Sequence, residues 1–193
     1  MATAPKILAF AGSTRTGSHN KRLIATAVAG ARAAGAEVTL IDLRDYPLPL
    51  FDGDLESREG LPENGRKLKD LFLAHHGLLI SAPEYNSSIT GVLKNTIDWV
   101  SRPVPGEAPL ACFDGKVACL MSASTGALGG LRGLVHVRAI LQNIKVLVLP
   151  DQVAVPKATE AFGPDGSLKD PKQRAAVEQL GMRLTQVIGK LHA

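Results

Sequence analysis

Five short, unbroken apolar runs recur along this chain, each separated from the next by a longer stretch with helical spacing. They are KILAFA (6–11), AEVTLID (36–42), GLLISA (77–82), KVACLMSA (116–123) and KVLVLP (145–150). A strand with one face in water alternates apolar and polar residues, whereas a continuous run is buried on both faces. Between the runs, Leu23, Ile24, Ala27, Val28 and Ala31 share one face of a helix expected over 20–34, with Gly35 ending it. Leu68, Leu71 and Phe72 point inward from a second helix over 64–76, and further helices are expected near 91–101 and 131–143. A last helix spans 171–191, with Asp170 as its cap and Pro171 at its first position. Its stripe is Val177, Leu180, Leu184, Val187, Ile188 and Leu191. Residues 43–63 and 102–115, rich in turn formers, read as loops.

This alternation predicts an α/β chain whose parallel sheet is covered on both faces. Crossovers are right-handed, so helices reach both faces only if the strand order reverses once. The expected fold is a flavodoxin-like three-layer α/β/α sandwich with a five-stranded parallel sheet, order 2-1-3-4-5. The length, 193 residues, suits one domain over 1–193. Ligands of such sheets bind beyond the carboxyl ends of the strands, at the switch point. That nominates three loops: 12–20, 83–90 and 122–130.

The first loop, GSTRTGSHN, fails two common nucleotide motifs. Thr14 stands where a dinucleotide fingerprint needs its second glycine, and Ser18 and His19 stand where a triphosphate loop needs Lys and Ser/Thr. What remains is a strand–turn–helix rich in hydroxyls, with backbone amides and a helix dipole at its end and Arg15 for charge. That suits a phosphate monoester; a capped turn, with Ser18 or Asn20 as N-cap, is the competing structural reading. In the second loop, PEYNSSIT, Pro83 removes a donor, Tyr85 offers a flat face, and backbone amides around Glu84 to Asn86 could meet a heteroaromatic edge. A local turn with Thr90 capping the next helix explains the same residues equally well. The third, SASTGALGG, offers the hydroxyls of Ser122, Ser124 and Thr125 and glycines that permit close approach.

Composition narrows the function classes. Net charge is +4 with no basic run, and aromatics are 4%, which argues against nucleic-acid binding. No run reaches membrane-spanning length, and the opening MATAPKILAFAG is too short in its apolar part for a secretory leader. Cys112 and Cys119 have no metal or redox spacing and suit a reducing compartment, so a cytoplasmic location is expected. No HExxH or other metal-ligand pattern and no GxSxG elbow is present.

GSTRTGSHN, PEYNSSITGVLKNTIDW and STGALGG resemble, in order and spacing, the NADPH-dependent FMN reductase family, which includes bacterial quinone, chromate and azo-dye reductases. The resemblance covers nearly the whole chain, with one departure: Thr90 stands where the family usually has proline. It implies FMN as cofactor and NADPH or NADH as co-substrate, with hydride passing through the flavin to quinones, free flavin, chromate or azo compounds in a ping-pong cycle. It implies that Ser13, Arg15, Ser18, His19 and Asn20 hold the FMN phosphate. Pro83, Glu84, Tyr85 and Asn86 would line the ring, and Ser122, Ser124, Thr125 and Gly126 its other edge or the ribityl chain. The flavin would carry the chemistry, with no catalytic side chain and no metal. A dimer or tetramer is also implied. Two rivals remain at this point: a flavodoxin-type electron carrier, against which the basic charge argues, and a dinucleotide-binding protein using Asp42 at the end of the second strand.

Overall fold

The computed structural model describes residues 4–192. Met1 to Thr3 and Ala193 lie outside the described residues; they include the start of the stretch read for a leader and both ends of the expected domain. All five apolar runs form strands: β1 (Lys6–Ala11), β2 (Glu37–Asp42), β3 (Gly77–Ser81), β6 (Val117–Ala123) and β7 (Leu147–Val155). Two further strands, β4 (Glu84–Tyr85) and β5 (Ser88–Ile89), make a small antiparallel hairpin. The main sheet is wholly parallel, in the order β2-β1-β3-β6-β7. Omitting the hairpin, this is the expected 2-1-3-4-5, with the reversal between β1 and β3.

Successive β1 residues serve opposite faces. Ile7 and Ala9 join a cluster with helices α1 (His19–Ala33) and α7 (Pro171–Leu191), through Leu23, Ala27, Leu184 and Ile188. Leu8 and Phe10 join a second cluster with α3 (Glu63–Leu73), α4 (Gly91–Val100) and α5 (Leu131–Asn143), through Phe72, Leu93 and Leu134. Helices α1 and α7 approach as closely as backbones allow. A Cβ on Gly30 would stand 2.0 Å from the Glu178 carbonyl oxygen, and one on Gly181 2.0 Å from that of Ala27. Asp170 caps α7 by accepting from the Lys172 amide at 2.9 Å, as expected. Leu191, expected in the buried stripe, is exposed at the helix end.

Three expectations need correction. Residues 43–63 are not a plain loop: they hold a 3-10 turn (Leu43–Asp45) and helix α2 (Gly53–Glu59), which Asp52 caps through the amides of Asp54 and Leu55. Helix α2 buries no residue, so it has no apolar stripe for periodicity to detect. The fifth strand does not end at Pro150. Its register with β6 shifts after Val148 and resumes at Gln152, and the strand runs on to Val155. Pro150 is tolerated because it lies in that irregular stretch of an edge strand. The loop 83–90 is the β4–β5 hairpin, and a short helix α6 (Ala158–Ala161) follows β7.

Candidate functional site

The three nominated loops meet at the carboxyl ends of β1, β3 and β6. They enclose a cavity of about 150 Å³ lined by Ser13, Arg15, Ser18, His19, Asn20, Pro83, Glu84, Tyr85, Ser124 and Thr125, all expected here. Asn86, Ser122 and Gly126 are not among its lining residues.

The floor begins at helix α1. Ser18 is its N-cap by position, with extended backbone, but its hydroxyl makes no capping bond. That departs from the capped-turn reading and leaves a buried hydroxyl beside the amides of the first turn, where no acidic residue stands. Such a helix end favours an anion. Half-buried His19 stacks on Phe162, with ring centres 5.8 Å apart, and its buried Nδ1 has no partner among the described residues. Burial lowers the His19 pKa, and the cations of Arg15 and Arg22 lower it further. The Arg15 guanidinium donates to the Gly17 carbonyl at 3.0 Å, and Ser13 Oγ accepts from the Arg15 amide at 3.3 Å. Free amides, an uncommitted hydroxyl and cations, with no acidic residue in the first turn, fit a phosphate monoester.

Asn20 works differently from its neighbours. Its Nδ2 donates to the Ala123 carbonyl at 2.8 Å, and its Oδ1 accepts from the Ala123 amide at 3.0 Å and from Ser81 Oγ at 2.8 Å. One buried amide thus ties the first loop to the ends of β3 and β6. Glu84 also turns its side chain away from the cavity. Its carboxylate accepts from Arg132 and from the Gly133 amide at 3.1 Å, so it caps α5. Burial raises its pKa, but these donors outweigh that and hold it below the usual carboxylate range.

Asn86 and Ser87 form the two-residue hairpin turn, with φ of 49° and 65°. Left-handed conformation at both positions is the requirement of a type I′ turn, and Asn tolerates it. Asn86 is exposed there, a turn former at the cavity's rim. Ser122 is fully buried, its Oγ without a partner among the described residues, beneath Gly130; a Cβ on Gly130 would come within 2.0 Å of that oxygen. Gly126 is exposed and donates its amide to Ser124 Oγ at 3.3 Å.

Sequence reasoning missed two residues that brace the site, Arg44 and Arg132, and the second bond made by Thr90. Arg44 donates to the Thr14 carbonyl through Nε at 2.9 Å and to Thr16 Oγ1 at 2.7 Å, holding the first loop from the end of β2. Arg132 anchors Glu84. Thr90 does cap α4, accepting from the Leu93 amide at 3.2 Å, and its hydroxyl also donates to the Gly12 carbonyl at 2.7 Å. Proline could not make that bond, so the departure at this position joins two loops. Asp42, the candidate ribose ligand of the dinucleotide rival, is engaged by Lys21 and by the Arg44 amide. Both cysteines are buried free thiols; desolvation pushes Cys119 up to about 12, so neither offers a thiolate. Among the described residues, no three His, Cys, Asp or Glu side chains cluster to hold a metal, and no helix is long and apolar enough to cross a membrane.

A parallel α/β sheet of this strand order, with a loop rich in hydroxyls and amides at its switch point, is the flavodoxin-like arrangement. The comparisons agree. The family model of NADPH-dependent FMN reductases matches residues 5–160. The NAD(P)H-dependent FMN reductase of Pseudomonas aeruginosa is 35% identical over 175 residues, 90% of each chain. The quinone reductase of Escherichia coli K12 is 35% identical over 144 residues, 75% of this chain and 73% of that one. Among solved structures, the flavoenzyme NAD(P)H:(acceptor) oxidoreductase of Paracoccus denitrificans superposes with a TM-score of 0.81 at 25% identity, covering 97% of this chain and 98% of that one. An archaeal flavodoxin shares the fold at 9% identity and a TM-score of 0.62, covering 95% of this chain and 98% of that one. The chain belongs to the NADPH-dependent FMN reductase family, whose members are enzymes that pair FMN with NAD(P)H.

Proposed function

We propose that this protein is an FMN-dependent NAD(P)H oxidoreductase that reduces quinones, and that free flavin, chromate and azo compounds are further acceptors. The observation that carries the reading is the uncommitted Ser18 hydroxyl and acid-free first turn of α1, opening on a cavity walled by the β4–β5 hairpin. Bound there, FMN would supply the hydride chemistry, taking two electrons from NAD(P)H and giving them to the acceptor in a ping-pong cycle. The protein's residues position and neutralise. Ser18, Arg15, His19 and the first-turn amides of α1 would hold the phosphate, and Ser13 would orient Arg15. Ser124 and Thr125 would reach the ribityl hydroxyls. Pro83 to Asn86 would support the ring through backbone, because the Glu84 carboxylate and the Asn86 turn are otherwise employed. Asn20 would act through the loops it joins.

The cavity is partly open to solvent, so a ring bound there would leave one face accessible to a second planar molecule, as a two-substrate cycle requires. Tyr85 on the cavity wall and Leu128, Leu131 and Val135 on the third loop and the start of α5 are all exposed, and we take them as an apolar rim. A second copy of the chain covering that rim would complete the pocket, giving a dimer or tetramer detectable by light scattering; a 20.3 kDa monomer at assay concentrations would refute the self-association. The function itself is tested by titrating the protein with FMN and then assaying NAD(P)H oxidation with benzoquinone. Saturable flavin binding with steady turnover is expected. Binding without turnover would leave an electron carrier of the flavodoxin type, and no binding would end the proposal.

A further inference from the structure

Two more hollows extend the cavity toward the β2 edge of the sheet. The first, about 330 Å³, shares Ser13, Arg15 and Tyr85 with the cavity and is floored by Thr90 and Val92. The second, about 250 Å³, shares Thr14 and Val92 with the first and ends against Leu43, Tyr46 and Leu48. The two hollows are adjacent through these shared residues and are together termed the furrow. Both halves expose more apolar than polar surface. Ser13, Thr14, Arg15 and Thr90 line the inner half. Buried Leu43 and half-buried Tyr46, Leu48 and Val92 line the outer half, together with Arg44, Asn95 and Thr96.

No carboxylate lines either half. Among the described residues Arg44 has no ion-pair partner and its Nη1 makes no hydrogen bond, while Asp42 nearby is committed to Lys21; Arg15 stands at the end shared with the flavin cavity. A guanidinium at the rim of an apolar slot lined by a tyrosine suits a flat ring joined through a sugar to a phosphate.

We infer that this furrow seats the phosphorylated adenylyl half of the nicotinamide dinucleotide, with the nicotinamide end directed toward the cavity. The inference rests on the flavin reading of that cavity. It gives the β2–α2 connection a role in choosing the reductant and separates the reductant's distal seat from that of a small acceptor. Val92 and Leu48 form the walls of the slot, and neither lines the flavin cavity.

The test compares NADPH with reduced nicotinamide mononucleotide, which lacks the adenylyl half, as reductants of the FMN-loaded protein. It uses wild type, Val92→Trp and Leu48→Glu, with FMN content and visible spectrum checked in each. Wild type should reach half-maximal bleaching at a concentration at least about tenfold lower for NADPH than for the mononucleotide. In both variants NADPH should fall to the mononucleotide's level. Calorimetry on the same proteins should show adenosine 2′,5′-bisphosphate binding wild type and neither variant. An undiminished preference for NADPH, with the bisphosphate still bound, overturns the furrow and leaves the flavin site standing. A protein that binds no FMN, or is bleached by neither reductant, overturns the flavin reading and the furrow with it.

Discussion

At the scale of single residues, the hydroxyl of Thr90 serves two backbone groups at once: it accepts from the Leu93 amide and donates to the Gly12 carbonyl. The residue is buried, so water cannot replace either bond. Thr90→Val keeps the shape and loses both, removing a helix cap and orphaning a buried carbonyl. Urea denaturation should record a loss of about 1–3 kcal/mol. The same variant should release FMN faster, because Gly12 opens the first loop; an unchanged release rate would show that the bond does not organise that loop. Asn20 illustrates the same division of labour. The sequence marks it as a phosphate ligand by its place in the motif, yet its amide reaches Ala123, 103 residues away. Polarity and spacing nominate a residue for the site, but only the fold reveals whether its hydrogen bonds are already used.

At the scale of elements, the long connection between α4 and β6 is strapped down by charge. Glu107 pairs with Lys69 at 3.0 Å and with Arg66 at 3.0 Å. The buried Lys69 ammonium also donates to the carbonyls of Val100 and Arg102. The paired Lys69 ammonium is the leading influence on Glu107 and, despite opposing desolvation, holds its pKa below the ordinary 4.5. A depressed folded-state pKa means the carboxylate stabilises the fold fully above the unfolded value. That contribution fades as pH falls through the folded one. Glu107→Gln should therefore cost on the order of 2 kcal/mol at neutral pH, less than a fully orphaned buried charge because the two carbonyls remain. The gap between variant and wild type should shrink below about pH 4.5. A gap that stays constant with pH, read from urea curves, would rule out the ion pair as its source. The same scale explains what the chain's pattern reveals. The central strands β1, β3 and β6 are written as apolar runs because they are buried, whereas the edge strand β2 buries no residue, α2 buries nothing and the β4–β5 hairpin turns on Asn86 and Ser87 without a glycine.

At the scale of the molecule, strand order follows from alternation and handedness, and order places the loops. That chain of reasoning needs only local pattern, so the fold and the location of the cavity were legible. The bracing was not. Arg44 reaches Thr14 across 30 residues, Arg132 reaches Glu84 across 48, and Thr90 reaches Gly12 across 78; such pairs carry no local periodicity. The furrow is also a property of the whole, assembled from residues 12–15, 43–44, 46–48, Tyr85, 90–92 and 95–96. The central claim is that this architecture holds FMN where NAD(P)H can reduce it and a quinone can reoxidise it. Anaerobic mixing of the FMN-loaded protein with one equivalent of NADPH tests it most directly, followed by one equivalent of benzoquinone while the flavin absorbance is recorded. The account predicts bleaching by the first addition and full recovery by the second, each within the time of steady turnover. Flavin that stays oxidised after NADPH, in protein that demonstrably binds FMN, would contradict it.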